Sequence, residues 1–298
     1  MKLHANALPY LAVARVQGPD AAAFLQAQLS ADIAALAGGG ATFACYCSPR
    51  GQVDGLLLVC REPGRKGEES SGNFLLAGAA ELLPSILERL RRFVMRARVT
   101  LEAAADLAVC GTPAEAAPAA GIYSTLPGLA YRIAEMSQCV PDRRAAAAWK
   151  ALELRHGIAW LDAATSERFI PQMLGFDGLG AVSFAKGCYP GQEIVARARY
   201  LGTVKRKPLR LLVDGAPEIP PGSAVRLLQA ADGGNGDWLD GTAIDSAAGG
   251  AEEPTSVLVV AAAPEGSVTS LEYATRSYFC ATMLQTQPGS ASPTSAGS

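Results

Sequence analysis

The sequence predicts an α+β fold with a separate small β region at its C-terminal end. Two observations carry that expectation. Up to about residue 202, apolar positions change between strand-like alternation and helical spacing. Beyond Gly202 the runs Leu209–Val213, Ala224–Leu228, Thr242–Asp245 and Ser256–Ala262 are short, strand-like and separated by Gly-, Pro- and Asp-rich turns. The chain has 298 residues, 49% hydrophobic and 18% charged, which suits a folded protein of two domains or of one large domain with an appendage.

Taken in order, Leu8 to Val16 reads as a strand. Asp20 is placed to cap a helix carrying Phe24, Leu25, Leu29, Ile33 and Leu36, which Gly38-Gly39-Gly40 ends. Thr42–Ser48 and Val53–Val59 form a hairpin across Pro49-Arg50-Gly51-Gln52, and Asn73–Ala77 adds a strand beyond a loop of mixed charge at 61–72. The spacing predicts a helix over Pro84–Arg96, whose Arg89, Arg91, Arg92, Arg96 and Arg98 form a solvated outer face or an anion-binding one. Val99–Leu101, Leu107–Cys110 and Tyr131–Ala134 are strands. A helix over Arg143–His156 carries Trp149 and Leu152 on its apolar side and stops at Gly157. The last residues, from about 286, are polar and low in complexity, and disorder is expected there.

Several function classes are excluded early. The net charge of -2 argues against non-specific nucleic-acid binding by the whole surface. Two histidines, His4 and His156, leave little for a multi-histidine metal site or a Ser-His-Asp triad, and a cysteine hydrolase lacks a convincing base. Cys45-Tyr46-Cys47 reads as strand, not as half of a zinc site. Seven cysteines without a signal peptide point to reduced thiols and to the cytoplasm. No apolar run is long enough to span a membrane.

One stretch concentrates chemistry: Lys186-Gly187-Cys188-Tyr189-Pro190-Gly191-Gln192-Glu193. Gly180–Phe184 before it reads as a short strand. After it, Ile194, Val195, Ala198 and Leu201 recur at helical spacing, with Arg197 and Arg199 off that stripe. A thiol just before a helix start and two residues from an ammonium is favoured as thiolate. On spacing alone the plainer reading is favoured, with Cys188 a small buried residue and Lys186 a solvated one.

Together with Phe169-Ile170-Pro171-Gln172 and Gly178-Leu179-Gly180-Ala181-Val182-Ser183-Phe184, the stretch from Lys186 to Arg197 closely resembles the YgfZ family, with a complete K-G-C-Y-x-G-Q-E signature. Weaker similarity runs through Phe24–Asp32, the Gly51 hairpin, the Trp149 helix, Gly157-Ile158 and Lys205-Arg206. The family is related to the glycine-cleavage aminomethyltransferase (T-protein) and to mitochondrial iron–sulfur assembly factors. The resemblance implies a T-protein-like fold: mixed α/β subregions around a central cavity over residues 1–205, a β-barrel over 206–285, and a tail at 286–298. It implies a tetrahydrofolate or one-carbon derivative as ligand. It also implies a role in synthesis or repair of iron–sulfur enzymes, including those that modify tRNA. The partners would be those enzymes or their assembly proteins, met transiently, and tRNA indirectly.

Carried over by position, Cys188 is the reactive group, with Lys186 and Glu193 as electrostatic partners. Trp149, Tyr189, Gln192 and Arg197 would face the folate, the indole stacking on a flat pterin. A second family tryptophan falls at Leu11 here. One alternative is a true aminomethyltransferase. Such enzymes place an acidic pair where this chain has Gly55 and Leu56. Asp54 lies one residue early, which on a regular strand is the opposite face. Another is a scaffold without turnover that holds folate or RNA, with Arg197, Arg199, Lys205, Arg206 and Lys207 meeting phosphates.

Overall fold

The computed structural model describes residues 5–63, 72–113, 122–126, 129–230, 236–248 and 253–284. The predicted tail and most of the charged loop at 61–72 lie outside these residues. In chain order, β1 (Ala5–Ala7) and β2 (Leu11–Gln17) lead into α1 (Ala21–Gln28), and β3 (Ala41–Cys47) and β4 (Val53–Arg61) make the hairpin. Then come β5 (Phe74–Ala79), α2 (Leu83–Arg91), β6 (Thr100–Ala103), β7 (Leu107–Pro113), β8 (Ile122–Leu126), β9 (Leu129–Glu135), β10 (Cys139–Val140) and α3 (Arg143–Arg155). A single turn, α4 (Pro171–Leu174), precedes α5 (Gln192–Tyr200). The remaining strands are β11 (Arg206–Val213), β12 (Ala224–Gln229), β13 (Trp238–Ala247), β14 (Thr255–Ala262), β15 (Val268–Tyr273) and β16 (Arg276–Leu284). No helix among the described residues is long and apolar enough to cross a membrane.

Two five-stranded sheets, ordered β3-β4-β5-β2-β6 and β10-β1-β7-β9-β8, bring Phe43 of one against Tyr131 of the other at 6.3 Å between ring centroids. The last six strands close a barrel in the order β11-β14-β13-β12-β15-β16. Val257, Val259 and Ala261 of β14 point into the barrel core. The alternate residues Leu258 and Val260 point outward into the main core, with Ile244 of β13. Burial on both faces explains why β14 reads as an unbroken apolar run instead of an alternating one.

The structure departs from the sequence expectations at identifiable places. β15 and β16 were not foreseen, because their two-residue turn is Ala274-Thr275, both at positive φ (50° and 64°). Such turns normally announce themselves with Asn or Gly. The helix after Asp20 ends at Gln28, well short of Leu36, and Asp20 does not cap it. Its carboxylate accepts instead from the backbone N–H of Arg98 at 2.7 Å. Gly180–Phe184 is not a strand. Ser183 donates its N–H to the Ser30 carbonyl, and Ala181 accepts from the Ser30 hydroxyl, so this segment is fastened by single bonds and not by a ladder. The expectation of fully reduced thiols has one exception: Cys110 of β7 and Cys139 of β10 form a disulfide across β1.

Between the sheets, α3 and the barrel lies a polar core. Glu153 is fully buried and accepts from Tyr10 Oη at 2.7 Å, Tyr131 Oη at 2.7 Å and Trp160 Nε1 at 3.0 Å. One turn back, Lys150 pairs with buried Asp245 of β13 at 2.7 Å, tying α3 to the barrel. Burial pushes the Glu153 carboxyl up to about 7, against the pull of its three donors. Asp245 is pushed up to about 6 for the same reason, with Lys150 opposing.

This core has a pH signature. Between the ordinary Glu value and about 7 the folded protein holds a proton on Glu153 that the unfolded chain has lost. Its contribution is therefore complete at low pH and is lost as pH rises towards 7. The variant Glu153→Gln, with no such proton to lose, gains on the native protein by up to about 3 kcal/mol across that window, and the difference is level above it. Urea midpoints at several pH values read this directly. Parallel curves would mean that Glu153 keeps the same charge in both states.

Candidate functional site

The signature loop is held by the turn of the β3–β4 hairpin. Gly51 (φ 72°) and Gly191 (φ 79°) lie back to back at this contact. A Cβ on Gly191 would stand 2.6 Å from the Gly51 Cα, and one on Gly51 would stand 2.8 Å from the Ile194 Cβ. Both glycines are needed for the left-handed backbone and for the close approach. On the other side of α5, Gln172 of α4 donates its amide to the Val195 carbonyl at 2.7 Å. Helix α5 is thus fixed from both sides, although Val195 is its one buried residue. The predicted apolar stripe is not buried as a stripe: Ile194 is 40% and Leu201 82% exposed.

Lys186 is buried, and its ammonium donates to the carbonyls of Gln26 at 2.5 Å, Leu29 at 2.5 Å and Ala31 at 3.0 Å. Three acceptors match three N–H bonds, and they are the carbonyls at and just beyond the C-terminal end of α1. The cation therefore sits at the negative end of that helix. Burial pulls the Lys186 pKa down to about 8, with the charge of Asp32 working the other way. The ammonium also lies 5.3 Å from the centroid of the buried Tyr189 ring, and burial raises the Tyr189 phenol above its ordinary range.

Cys188, two residues on, is exposed in the loop before α5, while Cys45, Cys47, Cys60 and Cys280 are buried. Glu193 and Arg197 are exposed along α5, and Gln192 is half-buried at its start. The loop thus faces its thiol outward and its ammonium inward. Trp149 is placed on α3, where it packs on Gly111 so closely that a Cβ there would stand 2.6 Å from the indole Cε2. The indole meets Tyr131 edge-on at 6.1 Å, and its Nε1–H is buried without a partner. Leu11 is buried in the main core. A groove of about 380 Å³ opens between the two sheets beside Arg15, Leu75, Leu107, Tyr123, Arg132 and Ile133, and no signature residue lines it.

Asp54 requires a correction. Tyr46 pairs with Gly55 and Cys47 with Val53, so Asp54 is the extra residue of a β-bulge. The bulge turns Asp54 to the side that Gly55 already faces, that of α2. Asp54 binds Arg89 at 2.7 Å, and a Cβ on Gly55 would meet Ile86. Regular alternation, which put Asp54 on the opposite face, does not hold there. Burial pushes the Asp54 carboxyl up to about 6, helped by Glu167 and opposed by Arg89, which also pairs with Glu167 at 2.5 Å. This three-residue cluster was not foreseen. Glu167 has a positive φ of 58°, a backbone strain that composition and spacing do not announce.

Lys186 and Cys188 are expected to separate cleanly in experiment. Lys186→Met keeps the stem but strands three carbonyls, and it costs about 2–4 kcal/mol in urea unfolding. Cys188→Ser leaves the unfolding midpoint unchanged. In the native protein a maleimide labels Cys188 while the four buried free thiols stay protected, as intact-mass measurement would show. Equal labelling of several thiols, or a Lys186→Met protein as stable as the native one, would contradict this arrangement.

No family model matches the sequence. An uncharacterized protein of Haemophilus influenzae is 29% identical over 221 residues, covering 71% of this chain and 74% of that protein. Proteins named tRNA-modifying protein YgfZ from Klebsiella pneumoniae and Yersinia pestis are each 29% identical, over 227 and 243 residues. These matches cover 65% and 70% of this chain, and 67% and 70% of the relatives. Among solved structures, the glycine cleavage system aminomethyltransferase T of Bartonella henselae superposes with a TM-score of 0.67 at 15% identity, covering 96% of this chain and 86% of that one. The chain is therefore similar in sequence to the YgfZ proteins, and its fold is that of the aminomethyltransferase T-protein.

Proposed function

We propose that this chain is a folate-binding protein that supports the synthesis or repair of iron–sulfur enzymes, including those that modify tRNA. The observation that carries the reading is the state of the signature loop. A complete K-G-C-Y-x-G-Q-E stretch is locked to the core by Lys186 and the Gly51–Gly191 contact, and it leaves Cys188 as the exposed thiol. A rigid loop that presents one sulfur is suited to contacting a one-carbon unit or a transient sulfur or cluster species. The names of the relatives support the link to tRNA modification.

The residues present fit a flat heteroaromatic ligand near Trp149. The indole is half-buried, and Tyr131 braces it edge-on. A pterin would find a stacking face there. In this proposal Tyr189 serves by positioning Lys186, and Gln192 and Arg197 approach the polar end of the folate. Glu193, in the first turn of α5, complements the helix dipole beside the thiol. We propose likewise that the chain divides into a folate-binding region over 1–205 and a barrel domain over 206–285, with the protein acting in the cytoplasm.

A second reading, an aminomethyltransferase of the glycine-cleavage type, draws on the bulge that reorients Asp54. Its carboxylate is engaged by Arg89 and faces α2, while Tyr189 sits near Cys45 and Cys47 on the other face of the same sheet. That separation favours the first reading.

Calorimetric titration with tetrahydrofolate derivatives tests the ligand: the native protein binds, and Trp149→Ala weakens binding about tenfold, as loss of a stacking face predicts. Absence of binding to any form would remove folate from the proposal. The thiol is tested separately. Cys188→Ala is expected to fail to restore iron–sulfur enzyme activity in cells lacking this protein, and full restoration would take the cysteine out of the mechanism.

A further inference from the structure

The C-terminal end of α5 and the segment after it carry groups that the folate reading does not use. Arg199, Lys205 and Lys207 are all exposed there. Asp177 and Glu193 are the acidic residues on the segments from 177 to 207, and Asp177 reaches Arg199 only loosely, at 3.9 Å. Arg206 is turned away, its guanidinium bound to Thr242 and to the Val260 carbonyl of the barrel. In a chain of net charge -2, this is a local reversal of sign.

Aromatic rings are built into the same surface. The Arg199 guanidinium lies 5.1 Å from the centroid of the Phe184 ring, and Phe184 meets Tyr200 edge-on at 6.0 Å. Tyr200 itself is 67% exposed and Leu201 beside it 82%. A helix end that leaves a tyrosine and a leucine this far in water forgoes the burial that usually orders such residues. The stack of Arg199 on Phe184 holds the ring pair in place and leaves most of Tyr200 open to solvent.

We propose that this surface binds single-stranded RNA, with the three cations meeting phosphates and a base stacking on Tyr200. Cations along a backbone track combined with an exposed ring are the elements that single-stranded nucleic acid uses. An acidic protein would satisfy the cations but gives no reason for an open aromatic face beside them. The inference rests on the reading above for its connection to tRNA modification, whereas RNA binding itself is measured without folate.

The test uses the full chain and a fluorescein-labelled oligouridylate, followed by anisotropy at several salt concentrations. Three phosphate contacts on a single strand predict a slope of log affinity against log salt of about -2. Tyr200→Ala weakens binding about tenfold with little change of slope. The double variant Lys205→Gln and Lys207→Gln weakens it more and flattens the slope by about two-thirds. Both variants keep the native circular dichroism and the native folate titration, so failure here and failure of the folate reading give different results. The proposal is overturned if no binding appears at low salt, if the variants bind as the native chain does, or if an acidic polyglutamate displaces the RNA with equal affinity.

Discussion

The ammonium of Lys186 against three main-chain carbonyls is the interaction on which the rest of the site depends. Helix α1 ends after two turns, and carbonyls at and beyond its end must find donors. A lysine from 155–160 residues further along the chain supplies three of them. In doing so it pulls the signature loop down onto the core and leaves Cys188 on the outside. A residue that the signature presents as a partner of the thiol thus works first as the anchor that positions it. The same anchor explains why α1 is short: the chain turns extended at Leu29 so that Gln26, Leu29 and Ala31 can converge on one nitrogen.

The two halves of the molecule are joined by polar groups set within an apolar interface. Glu153 gathers hydroxyls from β9 and from the segment before β2, and the indole N–H of Trp160. Lys150, on the same helix, crosses to Asp245 of the barrel. Each buried charge has its hydrogen bonds or its counter-ion, the condition under which such groups are tolerated. Apolar burial holds the sheets and the barrel together, and these bonds define how they sit. Trp149 is set by the same arrangement, between Gly111 below and Tyr131 at its edge.

Local chemistry was legible where it was also local in space. The hairpin across Gly51, the helix from Arg143 with Asp142 accepting at its N-terminus, and the helix start at Gly191 all stand where their turn residues place them. The errors share a cause. The helix after Asp20 looked longer because Leu29, Ile33 and Leu36 fall at helical spacing, but all three are apolar contacts of an extended or turning chain. Ile194 and Leu201 looked like a buried stripe, yet α5 is held at Gly191 and at Gln172 and needs only Val195 beneath it. The β15–β16 turn was invisible because Ala274 and Thr275 adopt backbone angles that their side chains do not advertise.

By itself the sequence determined the class of fold, the run of C-terminal strands and the stretch proposed to carry the chemistry, because periodicity and a long contiguous motif survive without coordinates. Tertiary structure alone decided where each member of that stretch sits. Whether a lysine is solvated or buried depends on carbonyls far away in the chain, and whether Cys188 faces water depends on that lysine. The face to which Asp54 points depends on a single unpaired residue in a bulge. Each of these is settled by contacts between segments distant in sequence, and residue spacing holds no record of them.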